Sequence, residues 1–273
     1  MAVSSFIPEI WSARILDNLN KAHVYAALCN RDYEGEIKNA GDTVHVNSLT
    51  DVTIGTYSGT LSTPETLTTT DATMAIDQAK YFNFMLDDVD KVQALPGLLE
   101  KATQSAAYGL ADESDKYIAG IMATGGHALT GTTVAITSSN AYTNLIDMKV
   151  DMDENNVPNE GRWVVITPAY HGLLLQDARF VGYGTDFNRE LLTNGRVGRA
   201  AGFDIYVSNN VPEASSVYTI IAGVNAGCSY AEQLIETEAL RYQGAFADVV
   251  RGLHVYGAKV FQTNAIETCP CSF

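Results

Sequence analysis

Asn194-Gly-Arg-Val-Gly-Arg-Ala-Ala-Gly-Phe-Asp-Ile-Tyr-Val-Ser-Asn-Asn-Val-Pro212 is the stretch that decides the fold. Gly195, Gly198 and Gly202 permit tight backbone turns ahead of an apolar strand from Phe203 to Val207. Ser208-Asn-Asn-Val-Pro212 then ends that strand with turn-forming residues. A second stretch follows: Glu238-Ala-Leu-Arg-Tyr-Gln-Gly-Ala-Phe-Ala-Asp-Val-Val-Arg-Gly-Leu-His-Val-Tyr-Gly-Ala-Lys-Val260. Neither has the look of a catalytic motif.

Together the two runs read Gly-x-x-Gly-Arg-x-x-Gly-Phe-Asp-x-Tyr-x-Ser-Asn-x-x-Pro and Phe-Ala-Asp-x-Val-Arg-Gly-Leu-x-Val-Tyr-Gly. In that order they resemble the major capsid (coat) proteins of tailed bacteriophages. The resemblance runs from Trp11 to Lys259 and is densest after Arg162, where Arg162-Trp-Val-Val-Ile-Thr-Pro-Ala-Tyr belongs to the same pattern. It implies an α+β chain of the Hong-Kong-97-type capsid fold. The implied parts are an N-terminal arm over residues 1–40, an extended E-loop hairpin with flanking strands over 41–88, and a P domain with a long spine helix over 89–140. A mixed α/β A domain over 141–222 and the return strands of the P domain with the C-terminus over 223–273 complete it.

The same resemblance implies a function. The chain self-assembles as pentamers and hexamers into an icosahedral head shell that encloses double-stranded DNA without sequence-specific binding. A scaffolding protein, a portal and decoration proteins are the implied partners, no cofactor is implied, and the protein ends in the virion after synthesis and assembly in the host bacterial cytoplasm. Candidate interface residues are Trp11 in the arm, Tyr57, Lys80 and Phe82 in the ribbon, and Arg196, Arg199 and Arg251 among the glycines of the two motifs. A guanidinium offers forked pairing to the carboxylates of a neighbour, and an ordinary surface salt bridge is the plainer role for each arginine. Some relatives crosslink their shells through a Lys and an Asn side chain; Lys80 suits the donor, no acceptor is identified, and crosslinking is not expected here. A bacterial nanocompartment shell of the encapsulin kind shares the fold and stays open as a reading, to be separated by what the particles enclose. A soluble metal-dependent hydrolase is the alternative of another class, separated by particle size.

Bulk composition agrees with a folded protein. Hydrophobic residues make up 46% and charged residues 18%, too apolar for intrinsic disorder and too interrupted for a membrane span. Asp and Glu outnumber Lys and Arg by 32 to 17, a net charge of −15, so the field around the molecule repels polyphosphate. In a shell, an acidic inner wall lets packed DNA lie without sticking. Met1-Ala-Val-Ser-Ser-Phe lacks the basic region and apolar core of a secretory signal. Cys29, Cys228, Cys269 and Cys271 are too sparse for a disulfide scaffold and read as free thiols, although Cys269-Pro-Cys271 has a spacing that can chelate or bridge.

Along the chain, Trp11, Ile15 and Leu19 at helical spacing behind Pro8 predict a short amphipathic helix in the arm. Gly41-Asp-Thr-Val-His-Val46 predicts a strand. Ten threonines between Thr50 and Thr73, with few large apolar side chains, favour extended backbone that buries little surface of its own. Such a ribbon is marginal alone and recovers its ordering entropy on something else, a neighbouring subunit in the capsid reading. Asp71 to Leu86 continues as one strand with Met74, Ile76, Phe82, Phe84 and Leu86 on one face. A long helix beginning near Pro96 and ending near Gly125-Gly126 follows, then a helix over Tyr142–Glu154, a buried strand over Trp163–Thr167 and a helix over Pro168–Ala178 with Leu173, Leu174 and Leu175 inward. A strand over Val217–Ala222 closes this mixed α/β unit.

Catalytic signatures were sought by class. His23, His45, His127, His171 and His254 lie far apart, with none at the spacing by which a helix grips zinc. The acidic groups Asp87, Asp88, Asp90 and Asp147, Asp151, Asp153, Glu154 lack the Gly-centred loop of a calcium site and read as solvated helix ends. Gly195-x-x-Gly-Arg-x-x-Gly lacks the Lys-Ser/Thr of a phosphate loop and precedes a strand. No Gly-x-Ser-x-Gly elbow occurs. The sequence therefore points to no catalytic or metal-binding set.

Overall fold

The computed structural model describes residues 24–32, 43–49, 54, 66, 69–87, 98–177, 196–242, 244 and 247–273. Trp11, Tyr57 and the expected arm helix lie outside the described residues. The first part of the chain gives β1 (Thr43–Leu49), β2 (Thr69–Ala75), β3 (Gln78–Asp87) and the 28-residue helix α1 (Leu98–Gly125). Next come β4 (His127–Ala128), β5 (Val134–Ala135), α2 (Ala141–Glu154), β6 (Trp163–Ile166) and α3 (Pro168–Leu174). The last part gives β7 (Arg196–Ala200), β8 (Phe203–Val207), β9 (Glu213–Ala214), β10 (Val217–Gly223), β11 (Cys228–Arg241), β12 (Ala247–Val260) and β13 (Ile266–Ser272).

An eight-stranded mixed sheet forms the centre, in the order β4-β13-β10-β6-β8-β7, with β5 also on β13 and β9 on β10. Strand β6 runs parallel to β8 and antiparallel to β10, and all four of its residues are buried, which is why Trp163-Val-Val-Ile166 is a continuous apolar run. Helix α2 turns Ala141, Leu145, Met148 and Met152 to the core, and α1 turns Ala107, Leu110, Ala111, Ile118 and Met122 inward at the same helical spacing. Arg162, buried between α2 and β6, donates from Nε to the Pro158 carbonyl at 2.8 Å and pairs with Asp153 at 2.7 Å. This motif arginine is occupied inside the subunit, holding the turn after α2.

The deciding stretch folds as its glycines dictate. Ala201 and Gly202 have φ of 50° and 88°, the two left-handed positions of a tight hairpin turn joining β7 to β8. Gly198 sits at the register shift between Arg196 and Gly198, a bulge in β7.

Two expectations need correction. The single strand over Asp71–Leu86 is two, broken at Ile76-Asp77, because the chain changes partner there: β2 pairs with β1 and β3 with β12. Met74 and Ile76 are fully buried in a small second core with Val44, Ala231 and Val255, which holds the crossing point. Helix α3 stops at Leu174 and not at Ala178; Thr167 caps its start by accepting from the Tyr170 amide at 3.2 Å. Leu174 is buried but Leu175 is 52% exposed, since three consecutive residues sweep too far around a helix to share one face. Cys269 and Cys271 are free thiols, as expected, and both are buried in β13, with their sulfurs 3.6 Å apart and Cys269 accepting from the Asn144 side chain.

Candidate subunit interface

Strands β11, β12 and β3 form a separate antiparallel sheet in that order, so β3 is its edge. Of the paired 14-residue strands, β11 begins and β12 ends inside the core, where Tyr230, Ala231, Val255 and Tyr256 are buried. At the other end Leu240 and Tyr242 are about half exposed and Arg241 and Arg251 lie at the surface. The sheet thus has a fixed base and an uncovered far end. Among the described strands none pairs with the outer edge of β3, which leaves a row of backbone donors and acceptors available.

Edge strand β3 carries apolar groups on both faces. Phe82 and Phe84 stack at 6.0 Å on one face, and on the other Tyr81 is 75% and Met85 55% exposed. Fully burying side chains of this size is worth about 1.5–3 kcal/mol each, stabilisation that the isolated subunit leaves unused. A shallow depression of about 250 Å³ lies between Tyr81, Asn83, Arg251 and Leu253.

The structure brings three of the sequence candidates together here. Lys80 and Phe82 share one face of β3, and Arg251 stands opposite Asn83 on the adjoining strand. The Lys80 ammonium is 3.9 Å from Glu113 of α1 across open solvent, a weak contact. Arg251 Nε donates to Glu238 at 2.8 Å, its directly opposite residue on β11. Arg199 faces Asp204 across the β7–β8 hairpin at 3.7 Å, and Arg196 is placed by its backbone in β7 opposite Tyr206. Those two stand apart from the β3 surface, on a different sheet. Sequence reasoning missed Tyr81 and Met85, although period-two alternation was the signal: with Phe82 and Phe84 on one face, their neighbours go to the other.

Buried polar contacts fix where the N-terminal segment joins this body. Asp115 of α1 accepts from the amides of Val24 and Tyr25 at 3.2 and 2.9 Å, and burial pushes its carboxyl up to about 6. Asn30 bridges Ser229 in parallel, with the Asn30 amide donating to the Cys228 carbonyl at 2.9 Å. Arg31 pairs with Glu232, whose other oxygen accepts from Tyr230 at 2.7 Å and meets the fully buried His254 at 3.0 Å. Burial, then the Glu232 charge, drive the Tyr230 hydroxyl well above its ordinary range. This network orders the start of β11.

A long helix beside an edge-exposed sheet, a mixed sheet behind it and the two legs of a ribbon define a shell-forming subunit of the Hong Kong type. The family model described as phage capsid protein matches residues 68–267, and the chain belongs to that family. The structure from Mycobacterium phage Che8 is 31% identical, with 90% of each chain covered and a TM-score of 0.76. The capsid of the cyanophage P-SCSP1u is 18% identical at a TM-score of 0.71, covering 92% of this chain and 89% of that one. A virus-like particle from Pyrococcus furiosus shares the fold at 12% identity and a TM-score of 0.57, with 97% and 99% covered. A comparison with curated proteins returned no match. The chain is a phage capsid protein, the shell material of a phage head.

Proposed function

We propose that this chain is the major subunit of a tailed-phage head, closing as pentamers and hexamers into an icosahedral shell around double-stranded DNA. The observation that carries this reading, beyond family membership, is the β3 edge, which no described strand pairs, with Tyr81 and Met85 exposed beside it. Work is done by association and not by catalysis: modest contacts repeated by symmetry give a stable whole. In this reading residues 1–40 are an arm and 41–88 the E-loop with its strands. The P domain comprises α1 with the β11-β12-β3 sheet, and the A domain comprises the central sheet, to which β13 also belongs. Trp11, Tyr57, Lys80, Phe82, Arg196, Arg199 and Arg251 act at contacts between copies. A scaffolding protein, a portal and decoration proteins are the remaining partners, and assembly takes place in the host cytoplasm. The net charge of −15 favours containment of DNA without adhesion.

Expression of the chain with its scaffolding partner, followed by electron microscopy, tests this reading. Closed shells of megadalton mass are expected, and phage-derived particles should hold DNA. Small soluble oligomers under all conditions would refute it, and particles filled with a cargo enzyme would favour the nanocompartment.

A further inference from the structure

We propose that His127, Asp151 and Glu267 form a site for one divalent transition-metal ion of the zinc type, which fastens α2 to the paired strands β4 and β13. The fold assembles the three from distant sequence. His127 follows the end of α1 and stands directly opposite Glu267 in the parallel β4–β13 register, while Asp151 reaches over from α2. His127 Nδ1 lies 3.1 Å from Asp151 Oδ2 and 3.2 Å from Glu267 Oε2, and all three ligand atoms fall within 4.8 Å of one another.

The two separations from His127 suit a zinc site. Nitrogen and oxygen ligands at about 2.0–2.1 Å and tetrahedral angles stand about 3.3 Å apart, close to both spacings here. One imidazole with two carboxylates suits zinc and its first-row neighbours, lacks the thiolates that soft ions prefer, and departs from the all-oxygen sets of magnesium and calcium. A second observation points to a cation. Glu267 is fully buried, and its Oε1 has no hydrogen-bond partner. No donor reaches that buried oxygen, so its desolvation is left uncompensated. Access is open on one side, since His127 and Asp151 are 39% and 23% exposed, which leaves a fourth position for water. Outer contacts orient the ligands: Asn155 Nδ2 donates to Asp151 Oδ2 at 3.2 Å, and Thr268 donates to the His127 carbonyl at 2.9 Å.

The test uses the full chain, purified without a histidine tag and stripped with chelator. Calorimetric titration with Zn²⁺ should give one ion per chain, with a rise in melting temperature that chelator reverses. Co²⁺ should give the strong visible bands of a four-coordinate nitrogen–oxygen site. Asp151→Asn and His127→Gln should each weaken Zn²⁺ binding by at least about tenfold, while Cys269→Ser should leave it unchanged. No saturable binding, or equal binding in both ligand variants, overturns the proposal. So does a near-ultraviolet thiolate-to-cobalt band on the wild-type chain, which would put the ion on Cys269 and Cys271; this readout does not depend on any variant folding.

Discussion

The Phe82 ring lies against the backbone of Gly252, its directly opposite residue on β12: a Cβ at 252 would fall 2.4 Å from Phe82 Cε1. Five residues on, a Cβ at Gly257 would fall 2.4 Å from the Ala75 carbonyl oxygen. The two glycines of the Arg251-to-Gly257 run thus allow two different close approaches. A half-exposed ring can swing aside, whereas Ala75 is fixed in the β1–β2 ladder. We expect Gly257→Ala to destabilise the unassembled subunit by about 2–3 kcal/mol and Gly252→Ala by about 1 kcal/mol. Urea unfolding at fixed protein concentration measures both, and the reverse order would contradict these contacts.

Asp115 gives the subunit a pH dependence of definite sign. Burial raises its carboxyl from 3.8 to about 6, so the folded state holds a proton that the unfolded chain releases. Stability from this group is complete below about pH 4 and is lost as pH rises towards 6. Asp115→Asn keeps an acceptor for the Val24 and Tyr25 amides but does not titrate. Relative to that variant, the wild type should lose up to about 3 kcal/mol between pH 4 and 7. Unfolding curves for the two proteins that stay parallel across this range would remove Asp115 as the cause.

Local rules made much of the fold readable. The turn at Gly202 and the strand β8 after it followed from the glycine and the apolar run, and α2 and β6 followed from apolar spacing, because each is decided within a few residues. The break at Ile76-Asp77 was not readable. It arises because β2 and β3 take different partners, one nearby and one on β12, and no local pattern encodes a partner change. Burial of Cys269 and Cys271 was hidden in the same way, by insertion of the last strand between β4 and β10. His127 and Asp151 read as unrelated groups in sequence and Glu267 gave no signal there; only the parallel register of β4 on β13 sets His127 opposite Glu267. Capsid identity was legible for a different reason, since motif order along the chain survives without any knowledge of contacts.

Tyr81 and Met85 should separate folding from assembly. Both are largely exposed on the subunit, so Tyr81→Ser and Met85→Ser remove little buried surface from it. Each variant should unfold within about 0.5 kcal/mol of wild type. If β3 is covered by a neighbouring copy, each loses part of about 1.5–3 kcal/mol per contact, repeated at every equivalent position in the shell. Sedimentation should therefore show folded subunits or capsomers in place of closed shells. Normal shell yield from the double variant would mean that this face stays open in the assembly.

The threonine-rich connection makes the sharpest separation of all. Strands β1 and β2 pair continuously from Thr43 with Ala75 to Leu49 with Thr69, anchored at one end by Val44, Met74 and Ile76. Removing residues 52–66 leaves a four-residue loop of Thr50, Asp51, Leu67 and Thr68, a length that closes an antiparallel pair without disturbing its register. Because the deleted segment carries few large apolar groups, its loss takes little from the core, and shortening a loop lowers its closure entropy slightly. Subunit melting should stay within a few degrees of wild type. Shell closure should fail if this threonine-rich segment, poor in large apolar groups, is stabilised on the next copy as proposed. Electron microscopy of the variant, scored beside its thermal melt, checks both halves: intact shells would return this segment to the status of an ordinary surface loop, and a collapsed melt would show that it folds back on its own subunit.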